Sequence, residues 1–495
     1  MTYCVTEITF AWKNGRTVED TKPGKEAGTS LKRPLHTWEV TAISIGFMGP
    51  VMAMALNGIG VAGLVGKAVP FTFLVSFIGT LFVAYGFIRL LRKITHAGSV
   101  YALAGITLGP RAGFFGGFAL LGTYIFFAAC ILGACAVFFE AMLSEIGITM
   151  APGMWMIVAL VVGVIALALN LRESATVART LLGIGFVGIA AMIILSIVII
   201  ARVGTGHAPV STGIDLSVLT PGDNALSGIM TASVFGFLSW AGFESGSSMS
   251  EETAEPKRII PRSLLMAVII GGIVYVFVMF AQTIGFGTDA AGVEAFATAA
   301  STLTSLSATY IGTWFAVLIS VVAFFVAFGA FLSSSAAASR LLFALARDGF
   351  GPSALARQHP VSKVPTTSVT TVIVLTTLMT LGLGVFGATS VDAYYWYATL
   401  GTLCMVVAYG MTSVGVIRHT FRANSGIPKW EIIIPALGLV YLVFVYVIQV
   451  TGQEAPYTYF PWAVGLWCLI GLIIVISRPA LAQRIGSRLT AEDID

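Results

Sequence analysis

Two short stretches hold the residue types that can do chemistry in this chain. The first is SIGFMGPVMAM (residues 44–54), which places Gly46, Gly49 and Pro50 inside an apolar run. Pro50 has no N–H, so the carbonyl of Gly46 loses its helical partner, and Gly46 and Gly49 let the backbone unwind cheaply. The second is FGFLSWAGFESGSSMSEET (residues 235–253), where Gly236, Gly242 and Gly246 surround a carboxylate, Glu244. A broken helix frees carbonyls where its first half ends and N–H groups where its second half begins. The N–H groups of Val51, Met52 and Ala53 would favour a carboxylate or other anion. Carbonyls of Gly46, Phe47 and Met48 suit a cation, and those of Phe237 and Leu238 suit an ammonium. Two such breaks make a small site with both polarities, fit for a zwitterion or an amine.

The elements that must position these stretches are membrane helices. Hydrophobic residues make up 57% of the chain, charged residues 10%, and the mean hydropathy is +0.93, against about 25% charged residues in a soluble domain. Apolar runs fall at about 38–62, 68–92, 111–144, 153–171, 175–202, 226–252, 262–286, 307–336, 366–388, 392–417, 431–450 and 458–477. Each is long enough to cross a ~30 Å hydrocarbon core. Twelve crossings put both ends on one side. With that side cytoplasmic, the inner segments hold 25 of the 27 Lys and Arg residues, Lys67 and Arg202 being the two outside, as the positive-inside rule requires. A polar tail over 1–36 precedes the membrane domain of 37–478, and a second tail covers 479–495. Residues 1–36 have no signal-peptide pattern, so the first span is expected to serve as its own insertion signal.

The breaks fall in spans 1 and 6. Transporters built from inverted halves carry interrupted helices at corresponding positions, so helices 1–5 (about 38–202) and 6–10 (about 226–417) read as repeats, with helices 11–12 (about 431–477) added. Glycine and proline kinks also serve packing in membrane helices, but two of them five helices apart point to function. Other chemistries lack their constellation. Cys4, Cys130, Cys135, Cys404 and Cys468 form no metal or redox spacing, and the five histidines are scattered. GIGVAG (residues 58–63) matches a dinucleotide fingerprint but lies in a span with no βαβ unit. No basic stripe with interleaved aromatics suggests nucleic acid. Neither a cofactor, a metal nor an enzyme activity is expected.

On these residues the chain resembles the amino acid–polyamine–organocation (APC) permease superfamily over nearly all of 36–478. Helix 6 and its exit match in Trp240, Gly242, Phe243, Glu244, Pro256, Arg258, Pro261 and Arg262. ASRLLFALARDGFGP (338–352) resembles the family's helix 8 exit, and THAGSVYALAGITLGPRAGF (95–114) its helix 2–3 loop. The resemblance implies an all-α membrane protein with a leucine-transporter-type 5+5 inverted repeat and alternating access. It also implies a substrate site at Gly46, Phe47, Met48, Gly49, Pro50, Val51, Thr123, Tyr124, Phe237, Leu238, Trp240, Ala241, Gly242 and Phe243, with Ala128 and the serines Ser333, Ser334 and Ser335 nearby. Tyr124 could equally be interfacial packing. Two departures stand out. The usual Gly-small-Gly of helix 1 is replaced by Gly46-Phe47-Met48-Gly49-Pro50, and Gly185 stands where some members carry a lysine in place of sodium.

Glu244 is the one acid deep in span 6, and intramembrane carboxylates are costly and functional by default. It is a candidate coupling and gating group, or else a cap on the second half-helix. The expectation is a permease of the cell (inner or plasma) membrane, monomer or homodimer, that takes up amino acids, polyamines or other amines with protons. The alternative is an amino acid/amine antiporter. A sodium symporter or a permease-like sensor ranks below both, the two tails leaving little room for a sensor's soluble domain.

Overall fold

The computed structural model describes residues 35–491 except 95–98, 173–174, 211–212, 348, 361–363, 423–425 and 452. The N-terminal tail with Cys4 and its basic residues, the start of the helix 2–3 loop motif and Lys363 lie outside the described residues. The helices are α1 Thr37–Met48, α2 Pro50–Val65, α3 Val69–Leu91, α4 Ser99–Leu108, α5 Pro110–Glu145, α6 Trp155–Asn170, α7 Ala175–Gly204, α8 Leu226–Leu238, α9 Pro256–Phe286, α10 Ala290–Thr298, α11 Thr302–Tyr310, α12 Thr313–Arg347, α13 Thr366–Val385, α14 Ser390–Thr420, α15 Ile433–Val450, α16 Phe460–Ser477 and α17 Pro479–Ala491. No strand interrupts them among the described residues.

Among the described residues, ten helical runs are long and apolar enough to span a bilayer. The first, Thr37–Leu91, has 55 residues, more than twice what one crossing needs. It divides at the short 3-10 turn Gly66–Ala68 into α1–α2 and α3. With the shorter apolar helix α6, the twelve crossings expected from hydropathy are present. Helices α6, α15 and α16 turn Ile157, Val161, Val440, Val443, Leu466 and Ile473 outward, which suits acyl chains rather than water.

The inverted repeat is legible in the order of helix lengths. The first half runs broken helix, long helix, short helix α4, then helices of 36, 16 and 30 residues. The second half runs broken helix, long helix, the short helices α10 and α11, then helices of 35, 20 and 31 residues. Five crossings per half invert the second against the first. This is the APC-type 5+5 fold with α15 and α16 added. At 1.5 Å per residue α5 is about 54 Å long, so it must cross the bilayer tilted.

Polar staples hold the rim. Glu431 before α15 accepts from Arg89 Nε at 2.6 Å, and also pairs with Arg89 Nη2 and Tyr85 Oη of α3. Glu431 is buried. Removing one partner of such a pair strands the other charge, so Glu431→Ala is expected to cost about 3 kcal/mol. A melting temperature of the purified protein equal to that of the wild type would contradict this. Within the segment expected as a C-terminal tail, Pro479–Ala491 forms α17, packed on α4 and α5. Ala482 and Ile485 are buried, and Gly486 sits so close to the Pro110 carbonyl that a Cβ there would overlap it.

Candidate functional site

The break in span 1 is one residue wide. The helical ladder of α1 stops at Met48, and Gly49 turns left-handed with φ 58° and ψ 57°. Pro50 then opens α2 at its first position, where its missing N–H costs nothing and its fixed φ suits a helix. Two expectations change here. The Gly46 carbonyl is not orphaned, because the Gly49 N–H donates to it at 3.3 Å. The Ala53 N–H is not free either, since it donates to the Gly49 carbonyl at 2.9 Å. Gly46 stays helical and packs against Leu182 of α7.

The break in span 6 is longer and tighter. After α8 ends at Leu238, the N–H groups of Ser239, Trp240 and Ala241 donate to the carbonyls of Gly236, Phe237 and Leu238 at 2.9, 3.1 and 3.0 Å. The carbonyls of Phe237 and Leu238, expected to be free for an ammonium, therefore each accept one bond. The chain tightens into 3-10 turns instead of opening, which satisfies those groups. Gly242 then turns left-handed with φ 89°, and the second half is a ten-residue 3-10 helix, Phe243–Glu252. Such helices rarely exceed three or four residues outside strained or hinge segments.

The two breaks touch. The Phe47 ring lies over Gly242 so closely that any Cβ there would penetrate it. The Gly246 N–H donates to Ser44 Oγ at 3.1 Å, fastening α1 to the 3-10 helix. Phe47 meets Tyr124 of α5 edge-on, with ring centroids 6.5 Å apart. The Tyr124 carbonyl accepts from Ser334 Oγ of α12 at 3.1 Å. Phe47, Tyr124 and Gly242 thus come together, with α5 and α12 behind them.

Other expected residues are placed as backing. Trp240 is 1% exposed; it stacks on Phe77 at 6.0 Å and donates its Nε1–H to the Val268 carbonyl at 3.3 Å. Met48 reaches Gly271 beneath it. Val51 packs against Gly188 of α7. The Thr123 hydroxyl is used on the Ala119 carbonyl of its own helix at 3.2 Å, and Ala128 is fully buried. Ser333 is exposed and bonds the Gly329 carbonyl, while the buried Ser335 hydroxyl has no partner. A Cβ on Gly185 would meet nothing within 4 Å.

Glu244 is 2% exposed and accepts a hydrogen bond from Tyr409 Oη of α14. It forms no ion pair among the described residues. The rings of Phe87, Phe243 and Tyr409 pack against one another at 5.1–5.7 Å beside it. The carboxyl therefore bridges helix 6 to helix 10 in an apolar shell, from the first turn of the 3-10 helix.

Sequence reasoning missed three side chains. Asn57 of α2 donates to Ser239 Oγ at 2.8 Å and accepts from Tyr394 Oη of α14 at 2.7 Å. This triad ties α2, the second half of helix 1, to the break in helix 6 and to helix 10. A lone buried Asn in an apolar run was the available signal. Asn57→Leu leaves the Tyr394 hydroxyl unpaired and Ser239 with only its 3.5 Å bond to the Phe235 carbonyl, about 1–3 kcal/mol. The melting temperature of the purified variant is expected to fall, and an unchanged value would show that the triad does not hold these helices together.

Residues 35–475 match the family model described as "Amino acid permease". Over 253 residues the chain is 28% identical to the low-affinity putrescine importer PlaP of Escherichia coli (strain K12), covering 50% of this chain and 53% of that protein. It is 25% identical over 369 residues to the branched-chain amino acid permease BcaP of Bacillus subtilis (strain 168), covering 71% and 75%. With BcaP of Lactococcus lactis subsp. cremoris (strain MG1363) the identity is 22% over 480 residues, covering 91% and 95%. The match thus spans about half the length of the putrescine importer and most of the branched-chain permeases.

Proposed function

Because the chain belongs to the amino acid permease family, we propose that it carries amino acids or related amines across the cell membrane by alternating access, coupled to protons. The observation that carries this reading is the meeting of the two helix breaks at Phe47 and Gly242, beside a carboxyl that has no counter-ion among the described residues. Unwound backbone at mid-membrane is tolerated only where it lines a cavity or a pathway. The substrate's carboxylate or neutral polar end lies at the start of α2, near the N–H groups of Val51 and Met52, where the helix dipole favours it. The ammonium lies near the carbonyls of helix 6, whose second lone pairs remain available beside their 3-10 bonds.

The lining supports an apolar side chain. Phe47 and Tyr124 offer carbon and one phenol, and Glu244 is the one acid near them among the described residues. A basic side chain would have to share that carboxyl with the coupling proton. An amino acid with a mid-sized apolar side chain therefore fits better than a polyamine. Glu244 takes the proton: Tyr409 holds the carboxyl toward α14, and a change in its protonation state alters the link between helices 6 and 10.

Uptake by proteoliposomes of labelled branched-chain amino acids, basic amino acids, putrescine and ethanolamine, each with and without an inward proton gradient, tests this reading. Gradient-stimulated uptake of an apolar amino acid is the expected result. Uptake restricted to liposomes preloaded with unlabelled compound would establish an exchanger instead and reduce Glu244 to a structural bridge.

A further inference from the structure

A basic patch lies at one end of the bundle, where α3 and α14 stop and α15 starts. Residues 89–94 and 418–432 carry Arg89, Arg92, Lys93, Arg418, Arg422 and Lys429 against a single acid, Glu431. Contacts join these segments into one surface. Arg89 and Tyr85 pair with Glu431, and Arg92 is near enough for its charge to act on the same carboxylate. A Cβ on Gly426 would meet Lys93 Nζ at 2.5 Å, so the turn before α15 lies against the end of α3. Arg418 and Arg422 of the α14 end donate to the carbonyls of Leu108 and Thr107 at 3.2 and 3.1 Å. Glu431 is buried and engaged by Arg89, so it leaves the other charges uncancelled. Arg92, Lys93, Arg418, Arg422 and Lys429 are all exposed, and Arg92 and Lys429 form no ion pair among the described residues.

A second feature runs down from this patch. Trp430, Ile433, Leu437, Val440, Val443 and Val447 are each 45–66% exposed. Their spacing of three or four residues puts them on one face of α15, while the helix packs on α3 and α14 with its other side. The ten steps from Ile433 to Val443 rise about 15 Å, half of a ~30 Å hydrocarbon core and so the depth of one acyl chain. Trp430 sits at the head of the stripe, where an amphipathic ring suits the headgroup level, and Lys429 stands next to it. A soluble anion or a nucleic acid would meet the charges but leave the stripe uncovered. A molecule with an anionic head and an apolar tail covers both.

We propose that the start of α15 and the end of α3 form a binding site for an anionic phospholipid. The headgroup phosphate rests between Lys429 and Arg92, within the field of Lys93, Arg418 and Arg422, and an acyl chain lies along the exposed stripe of α15. Basic clusters at the ends of membrane helices recognise anionic lipids in this way. A lipid held there fastens α15 to α3 at the point where Glu431 already joins them.

The test is thermal unfolding of the full-length protein in dodecyl maltoside micelles. It is titrated with dioleoylphosphatidylglycerol, with dioleoylphosphatidylcholine, and with glycerol 3-phosphate, which has the anion without the chains. A ligand that binds only the folded state raises the melting temperature in a saturable way. Phosphatidylglycerol is expected to do so at concentrations roughly ten- to thirtyfold lower than phosphatidylcholine, the worth of two basic residues beside an anionic headgroup, and glycerol 3-phosphate should have no effect in that range. Arg92→Gln combined with Lys429→Gln should erase the preference. Both side chains are exposed, so this variant should melt normally without lipid. Lys429→Gln alone should weaken phosphatidylglycerol by roughly fivefold, and it decides the matter if the double variant does not fold. Lys257→Gln combined with Arg357→Gln removes the same charge from exposed positions in other segments and should leave the preference intact. Equal stabilisation by the two lipids, a preference that survives Arg92→Gln with Lys429→Gln, its loss in Lys257→Gln with Arg357→Gln, or an equal effect of glycerol 3-phosphate would each overturn the proposal. Because the readout is binding, the result stands apart from whether the protein transports amino acids.

Discussion

Glu244→Gln is expected to abolish the stimulation of uptake by an inward proton gradient, leaving only the rate seen without a gradient. The carboxamide keeps the size and the hydrogen-bonding reach of the acid but cannot take up or release a proton. Glu244 is buried and unpaired by any cation among the described residues, so a charge there is held only by Tyr409 and the local backbone. That makes its protonation state sensitive to any rearrangement of α14 against helix 6. Tyr409→Phe removes the bridging hydroxyl and leaves a buried acceptor without that donor, about 1–3 kcal/mol. Coupled uptake should drop by one to two orders of magnitude, with the gradient dependence weakened rather than lost. Initial rates at matched protein density check both. If Glu244→Gln keeps full gradient stimulation, the proton travels elsewhere.

Gly242→Ala carries the second large effect, and it acts through geometry alone. At φ 89° an alanine is strained by about 1–3 kcal/mol. Its methyl group would also fall inside the Phe47 ring, and such overpacking adds about 1–3 kcal/mol. The two breaks must then separate. Transport should fall below detection while the purified protein still melts cooperatively at a lower temperature. Phe47→Ala combined with Gly242→Ala removes the clash but not the backbone strain, so the double variant should regain part of the melting temperature and little of the uptake. Full uptake by Gly242→Ala would mean that the break in helix 6 does not have to hold this shape.

The helix count and the general place of the breaks were readable from the residues, because the bilayer imposes them. Apolar run length is set by membrane thickness, Lys and Arg sort by side, and Pro50 and Gly242 cannot continue an ordinary helix. The finer form was not readable. Pro50 suggested an unwound stretch from Gly46 onward, whereas a single left-handed residue, Gly49, suffices. Around Trp240 the chain had the option of 3-10 bonding, and it used the carbonyls that a plain break would have left free. Helices α10 and α11 have nine residues each, too short for a periodic signal. Residues 479–491 are mixed enough in polarity to read as a tail, yet Ala482, Ile485 and Gly486 give them a face that seats on α4 and α5.

The pairings that define the site lie even further from local reading. Asn57 and Ser239 are 182 residues apart, Asn57 and Tyr394 are 337 apart, and Glu244 and Tyr409 are 165 apart. No periodicity links such positions; only the folded arrangement of helices 1, 6 and 10 brings them together. The repeat itself was hidden for a related reason. Inverted halves share lengths and crossing order, not residue identities, so the match of 36 to 35 and of 30 to 31 residues emerges only once the helix ends are known.

Proton movement during transport tests the central claim most directly. Proteoliposomes in weakly buffered medium are given the best substrate of the uptake panel, and the external pH is followed. The account predicts alkalinisation of the medium in step with uptake by the wild-type protein, and none by Glu244→Gln. Uptake by the wild type with no change in external pH, or the same alkalinisation by Glu244→Gln, would contradict it.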